Sequence, residues 1–150
     1  MKPQLTLKHL APYLPYGLKC KWNQSNPFIL VGLQKGNESV NNDLWTWKDG
    51  SRYLTGYLYE CKPILRPLSD LTNEIEHNGE KFIPMEYIMS MNSKSFKESL
   101  IKDRLTEALI NDLKHNRLQY KYCEKLFEWH FDVFGLIPEG LAIDINTLKP

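Results

Sequence analysis

The dipeptide Asp49-Gly50 separates two alternating segments. Before it, Trp45 and Trp47 alternate with Thr46 and Lys48; after it, Tyr53, Thr55, Tyr57 and Tyr59 alternate with Leu54, Gly56 and Leu58. Asp-Gly between two period-2 runs predicts a two-residue β-hairpin. That hairpin commits the first half of the chain to antiparallel sheet. Leu18-Lys19-Cys20-Lys21-Trp22 alternates apolar with basic, which predicts a strand with one buried and one wet face. A turn cluster over residues 23–27 leads to the continuous apolar run Phe28 to Leu33, read as an antiparallel neighbour covered on both faces. Ahead of these, Thr6 is a candidate N-cap for a short helix. Pro12 and Pro15 limit that helix, and Gly17 permits a change of direction.

The second half changes period. Pro67 suits a first helical position, Leu68, Leu71 and Ile75 follow at helical spacing, and Asn78-Gly79 is read as the end of that helix. Residues 81–83 are expected to be extended, and residues 85–91 to make one or two helical turns. Ser95 and Glu98 form a capping box for a helix whose apolar stripe is Phe96, Leu100, Ile101, Leu105, Ala108 and Leu109. Asn116 marks a break. Leu118, Tyr122, Leu126, Phe127 and Val133 predict a second helix ending near Gly135, antiparallel to the first. Leu141, Ile143 and Ile145 alternate, so a last strand is expected to join the sheet. The expected architecture is one α+β domain over residues 1–150. Its antiparallel sheet has about four to five strands, with helices packed on one face.

Composition narrows the function classes. The chain has 150 residues, 42% hydrophobic and 25% charged, with 19 basic against 18 acidic side chains and a formal net charge of +1. It can fill a core and is not of disordered composition. The balance argues against a polybasic arm or acidic tail. No apolar run approaches the ~20 residues of a membrane helix. The first residues lack an apolar leader, so a cytoplasmic protein without membrane association is expected. The three cysteines, Cys20, Cys61 and Cys123, are widely spaced and expected to be reduced.

No motif assigns chemistry. His9, His77, His115 and His130 have no zinc-ligand spacing, and neither phosphate-binding glycine motif occurs. On one helix, Cys123 and His130 would stand about 10 Å apart, too far for a nucleophile and its base. Asp103/Glu107 and Glu124/Glu128 sit at i,i+4 among lysines, the pattern of a solvated helix face. No catalytic residue, cofactor or metal ligand is therefore expected. The remaining constellation is the crowding of Trp45, Trp47, Lys48, Arg52, Tyr53 and Arg66, with Tyr57, Tyr59 and Lys62 beside them. Aromatic faces among cations suit single-stranded nucleic acid. The same tryptophans on an edge strand would suit a protein partner.

Three stretches also carry a resemblance. They are Leu10-Ala11-Pro12-Tyr13-Leu14-Pro15-Tyr16-Gly17-Leu18-Lys19, Ile64-Leu65-Arg66-Pro67-Leu68-Ser69-Asp70-Leu71 with Asn78-Gly79-Glu80, and Trp129-His130-Phe131-Asp132-Val133-Phe134-Gly135-Leu136-Ile137 with Gly140-Leu141-Ala142-Ile143-Asp144-Ile145-Asn146. Together they resemble small uncharacterised proteins of Bacteroides-type prophages and mobile elements. The resemblance implies a bacterial cytoplasm and an accessory role, with no activity to carry over. The first expectation is thus a non-catalytic interaction protein whose partner is another protein. The alternatives are a single-stranded nucleic-acid binder using residues 45–66, and a small hydrolase or transferase whose site the fold assembles around His130 or Cys61.

Overall fold

A computed structural model describes residues 3–23, 25–37, 42–91 and 99–148. In chain order the elements are α1 (Leu7–Leu10), β1 (Lys19–Trp22), β2 (Phe28–Gln34), β3 (Leu44–Asp49), β4 (Arg52–Tyr57), β5 (Cys61–Leu65), β6 (Ile75–His77), β7 (Glu80–Phe82), α2 (Pro84–Ser90), α3 (Ser99–Lys114), α4 (Tyr120–Glu128) and β8 (Ile143–Asp144). Short 3-10 turns cover Ala11–Tyr16, Leu58–Glu60, Leu68–Thr72 and Ile145–Leu148. The fold class is α+β. The capping box at Ser95 and Glu98, and Phe96, lie outside the described residues. The chain divides into two compact units, residues 1–66 with 134–150, and residues 67–133.

The first unit holds a six-stranded sheet in the order β4-β3-β2-β1-β5-β8. Five strands are antiparallel, but β8 pairs with β5 in parallel, Ile64 opposite Ile143. This corrects the expected four to five antiparallel strands to six in a mixed sheet. The sheet must also curl. Four strand spacings of ~4.8 Å would set β4 about 19 Å from β5 in a flat sheet. The chain from Tyr57 to Cys61 spans only the turn Leu58–Glu60, which reaches at most about 14 Å. Curling gives the sheet an inner face, and the core lies there. Cys20, Leu30, Trp45, Trp47, Cys61 and Leu65 are all buried. The indoles of Trp45 and Trp47 stand 4.3 Å apart, and Trp22 and Phe28 stack on Trp47 at 5.7 and 6.0 Å.

Register shows why the hairpin forms where it does. Trp47 faces Leu54, Trp45 faces Gly56, and Asp49 faces Arg52. The central turn residues are therefore Gly50 and Ser51, one position later than Asp49-Gly50. Gly50 takes a φ of 61°, as the first central position of a type II′ turn requires. The earlier turn would have set Arg52 against the buried Trp47; the observed one sets Leu54 there and leaves Arg52 at the rim. The run Phe28–Leu33 is covered on one face only, with Ile29 and Val31 46% and 38% exposed. An irregularity between Leu30 and Gly32 adds one residue to β2 against β3.

The second unit has its own core of Leu71, Ile75, Met85, Ile88, Met89, Leu109, Leu126, Trp129 and Phe131. The helix expected from Pro67 to Asn78 is a 3-10 turn, Leu68–Thr72, followed by the β6–β7 hairpin. Asn78 and Gly79 take φ of 52° and 83°. Two positive values at the central positions make a tight primed hairpin turn, which overrides the helix-end reading of the same dipeptide. Helices α3 and α4 both end in the same way. Beyond α3, Arg117 N–H donates to Asp112 O and Asn116 N–H to Leu113 O; beyond α4, Phe131 N–H donates to Leu126 O and His130 N–H to Phe127 O. These are Schellman pairs, with Asn116 (φ 56°) and His130 (φ 63°) left-handed where glycine is usual. The second helix thus stops at Glu128 rather than near Gly135. Burying Phe131 with Leu126, both 0% exposed, offsets the strain at His130.

Candidate functional site

The outer face of the curled sheet collects the chemistry. A cross-strand row runs Lys19 (β1), Ile29 (β2), Lys48 (β3), Tyr53 (β4), each the Cα partner of the next. Period-2 geometry then puts Lys21 on the same face as Lys19, and Thr55 and Tyr57 on the same face as Tyr53. Lys21 is in turn the Cα partner of Lys62 on β5. Every charged side chain at an outward position of β1 to β5 is a lysine: Lys19, Lys21, Lys48 and Lys62. None of them forms an ion pair with a described residue. Tyr53 and Tyr59 are 65% exposed, and the rings of Tyr57 and Tyr59 stack at 5.3 Å and 8°.

The structure divides the sequence candidates. Lys48 and Tyr53 stand on this face. Arg52 is exposed at the hairpin end, where its guanidinium meets Asp49 Oδ2 at 3.3 Å, so its charge is partly neutralised. Trp45 and Trp47 are 0% and 3% exposed, and their pyrrole N–H groups are buried without an acceptor. Neither can stack a base or anchor a partner. Arg66 is 8% exposed and already engaged. Lys19, Lys21 and Ile29 were missed as site residues. The signal is in the alternation, which makes the basic half of Leu18–Trp22 a wet face, but only strand pairing shows that it continues the tyrosine face.

Two hollows flank the turn Leu58–Glu60. One of ≈ 570 Å³ is lined by Lys21, Asn23, Tyr59, Glu60, Lys62 and Ile143. The other, ≈ 310 Å³, is lined by Gln4, Leu5, Asn42, Asp43, Leu58 and Tyr59. Neither is lined by cysteine or histidine. Glu60 Oε2 accepts a hydrogen bond from Trp22 Nε1 at 2.9 Å.

The thiols and imidazoles sit elsewhere. Burial pushes the Cys20 thiol well above its ordinary range, and the neighbouring Cys61 adds to the shift. A thiol so held is a poor nucleophile. In the second unit, His77 and His130 meet edge to face at 4.9 Å. His130 and Asp132 do not share a helix, since both lie beyond α4. Among the described residues no three His, Cys, Asp or Glu side chains group to hold a metal, and no helix is long and apolar enough to cross a membrane. No family model matches the chain, and neither the curated proteins nor the solved structures contain a match to it.

Proposed function

We propose that the outer sheet face binds single-stranded nucleic acid. The observation that carries this is the row Lys19–Ile29–Lys48–Tyr53 with Lys21 and Lys62 beside it: cations that no described carboxylate pairs, exposed aromatic rings, and no carboxylate at an outward position of β1 to β5. Phosphates attract the ammonium groups, while unstacked bases find the faces of the tyrosines. A net charge of +1 does not oppose this, because Lys19, Lys21, Lys48 and Lys62 share one face and the outward positions of β1 to β5 hold no acid. A protein partner anchored on Trp45 and Trp47 is disfavoured, since both indoles are inside.

The test is fluorescence anisotropy with labelled single-stranded and duplex oligonucleotides at two salt concentrations. Single strands bind more tightly than duplex. Four phosphate contacts on a single strand give a slope of about −3 in log K against log salt, roughly fiftyfold between 50 and 200 mM. Lys48→Gln lowers that slope by about 0.7. Binding that ignores salt, or that Lys48→Gln and Tyr53→Ala both leave unchanged, removes the face as the site.

A further inference from the structure

We infer that the ≈ 570 Å³ hollow beside β1 and β5 takes a terminal phosphomonoester of the bound strand. This deepens the single-strand reading and rests on it. Lys21 and Lys62 are direct Cα partners across the two strands, and both line the hollow. Like charges placed directly opposite each other destabilise a sheet. No described carboxylate pairs with either ammonium. A pair of this kind is stabilised by an anion held between its members.

A phosphomonoester is the fitting anion. It carries close to two negative charges at neutral pH and three acceptor oxygens, whereas an internal phosphodiester carries one charge. The hollow has the volume of a small-ligand site, larger than inorganic phosphate needs and suited to a terminal nucleotide. Tyr59 supplies an exposed ring on the wall, and Asn23 an amide that can donate or accept. Glu60 is the one acid among the described lining residues, and Trp22 Nε1 already holds one of its oxygens. The described lining residues therefore carry a net charge of +1, from Lys21 and Lys62 less Glu60. The hollow also joins the outer face, because Lys21 belongs to both.

The experiment compares one labelled oligonucleotide carrying a 5′-phosphate, a 3′-phosphate or neither, with inorganic phosphate as competitor. One phosphorylated form binds about tenfold more tightly than the unphosphorylated strand. Lys62→Gln and Lys21→Gln abolish that preference, whereas Lys48→Gln, outside the hollow, weakens all three strands alike and keeps it. Millimolar inorganic phosphate weakens the preferred strand more than the unphosphorylated one. Lys21→Glu gives an independent readout: it turns the like-charge pair into an ion pair, so the melting temperature holds or rises while the preference disappears. If all three strands bind equally, the terminal-phosphate inference falls and the face reading stands. Failure of every strand to bind overturns both. A preference that survives Lys62→Gln and Lys21→Gln overturns the hollow as its source.

Discussion

The indole of Trp47 lies over Gly56. A Cβ built on that glycine would stand 3.0 and 3.1 Å from Trp47 Cζ3 and Cη2, and 3.4 Å from Trp45 Nε1. Gly56 is also the Cα partner of Trp45. The two tryptophans occupy the volume that a side chain at position 56 would need, which is why a weak strand former sits in β4. Gly56→Ala recovers up to about 1 kcal/mol of strand propensity but pushes a rigid, packed ring system, an overpacking cost of about 1–3 kcal/mol. The expected result is a net loss of about 1–2 kcal/mol in urea unfolding. A stability equal to or above that of the parent protein would contradict this packing.

Trp45 and Tyr53 stand on opposite faces of the same hairpin and should separate stability from binding. Trp45→Ala empties a fully buried site and costs about 3–5 kcal/mol. Trp45→Phe also deletes area, but it removes a buried N–H that has no acceptor, worth about 1–3 kcal/mol. That change should therefore cost far less than the alanine. Tyr53→Ala, at a 65% exposed position, should alter stability by no more than about 0.5 kcal/mol while weakening single-strand binding by about 1–3 kcal/mol. Thermal unfolding and anisotropy on the three variants check the order. If Tyr53→Ala unfolds the chain, the ring is structural.

Asn116 closes α3 with a φ of 56°, a conformation that favours glycine. Asn116→Gly should raise stability by up to about 1 kcal/mol, since the terminal hydrogen bonds are made by backbone and remain. His130 occupies the same position after α4, but its ring also meets His77. His130→Gly should gain less than Asn116→Gly. Chemical denaturation of both variants, monitored by circular dichroism, tests the difference; equal gains would mean that the imidazole contact contributes nothing.

Cys20 predicts an alkaline loss of stability. Its folded pKa is raised by burial and by Cys61, whereas an unfolded cysteine ionises near ~8.5. Below that pH both states hold the proton and the contribution is fully present. As pH rises past it, the unfolded chain releases the proton and the folded chain keeps it, so stability falls by up to about 1.4 kcal/mol per pH unit until the folded pKa is reached. Between pH 8 and 9.5, Cys20→Ala should be less stable overall but should fall more gently with pH. An unchanged slope would show that another group is responsible. The folded protein should also react slowly with thiol reagents at Cys20, because the thiolate is the nucleophile.

The alternation around residues 18–22 and 45–57 determined the strands, and helical spacing determined α3 and α4, because a side chain's direction follows from backbone period alone. The sheet's antiparallel core was legible for the same reason. What the tertiary structure decided was which face is inside. Trp45 and Trp47 looked like a binding surface because an aromatic strand is equally compatible with either face. Curling, enforced by the three-residue turn Leu58–Glu60, put them in the core and turned Lys19, Lys21, Lys48, Lys62 and Tyr53 outward. Asn78-Gly79 was misread because the same dipeptide can end a helix or turn a hairpin, and the pairing of Ile75 with Phe82 selects the second. The Lys21–Lys62 pair joins residues forty-one positions apart (62 − 21). No local pattern can place them together; strand order alone does so.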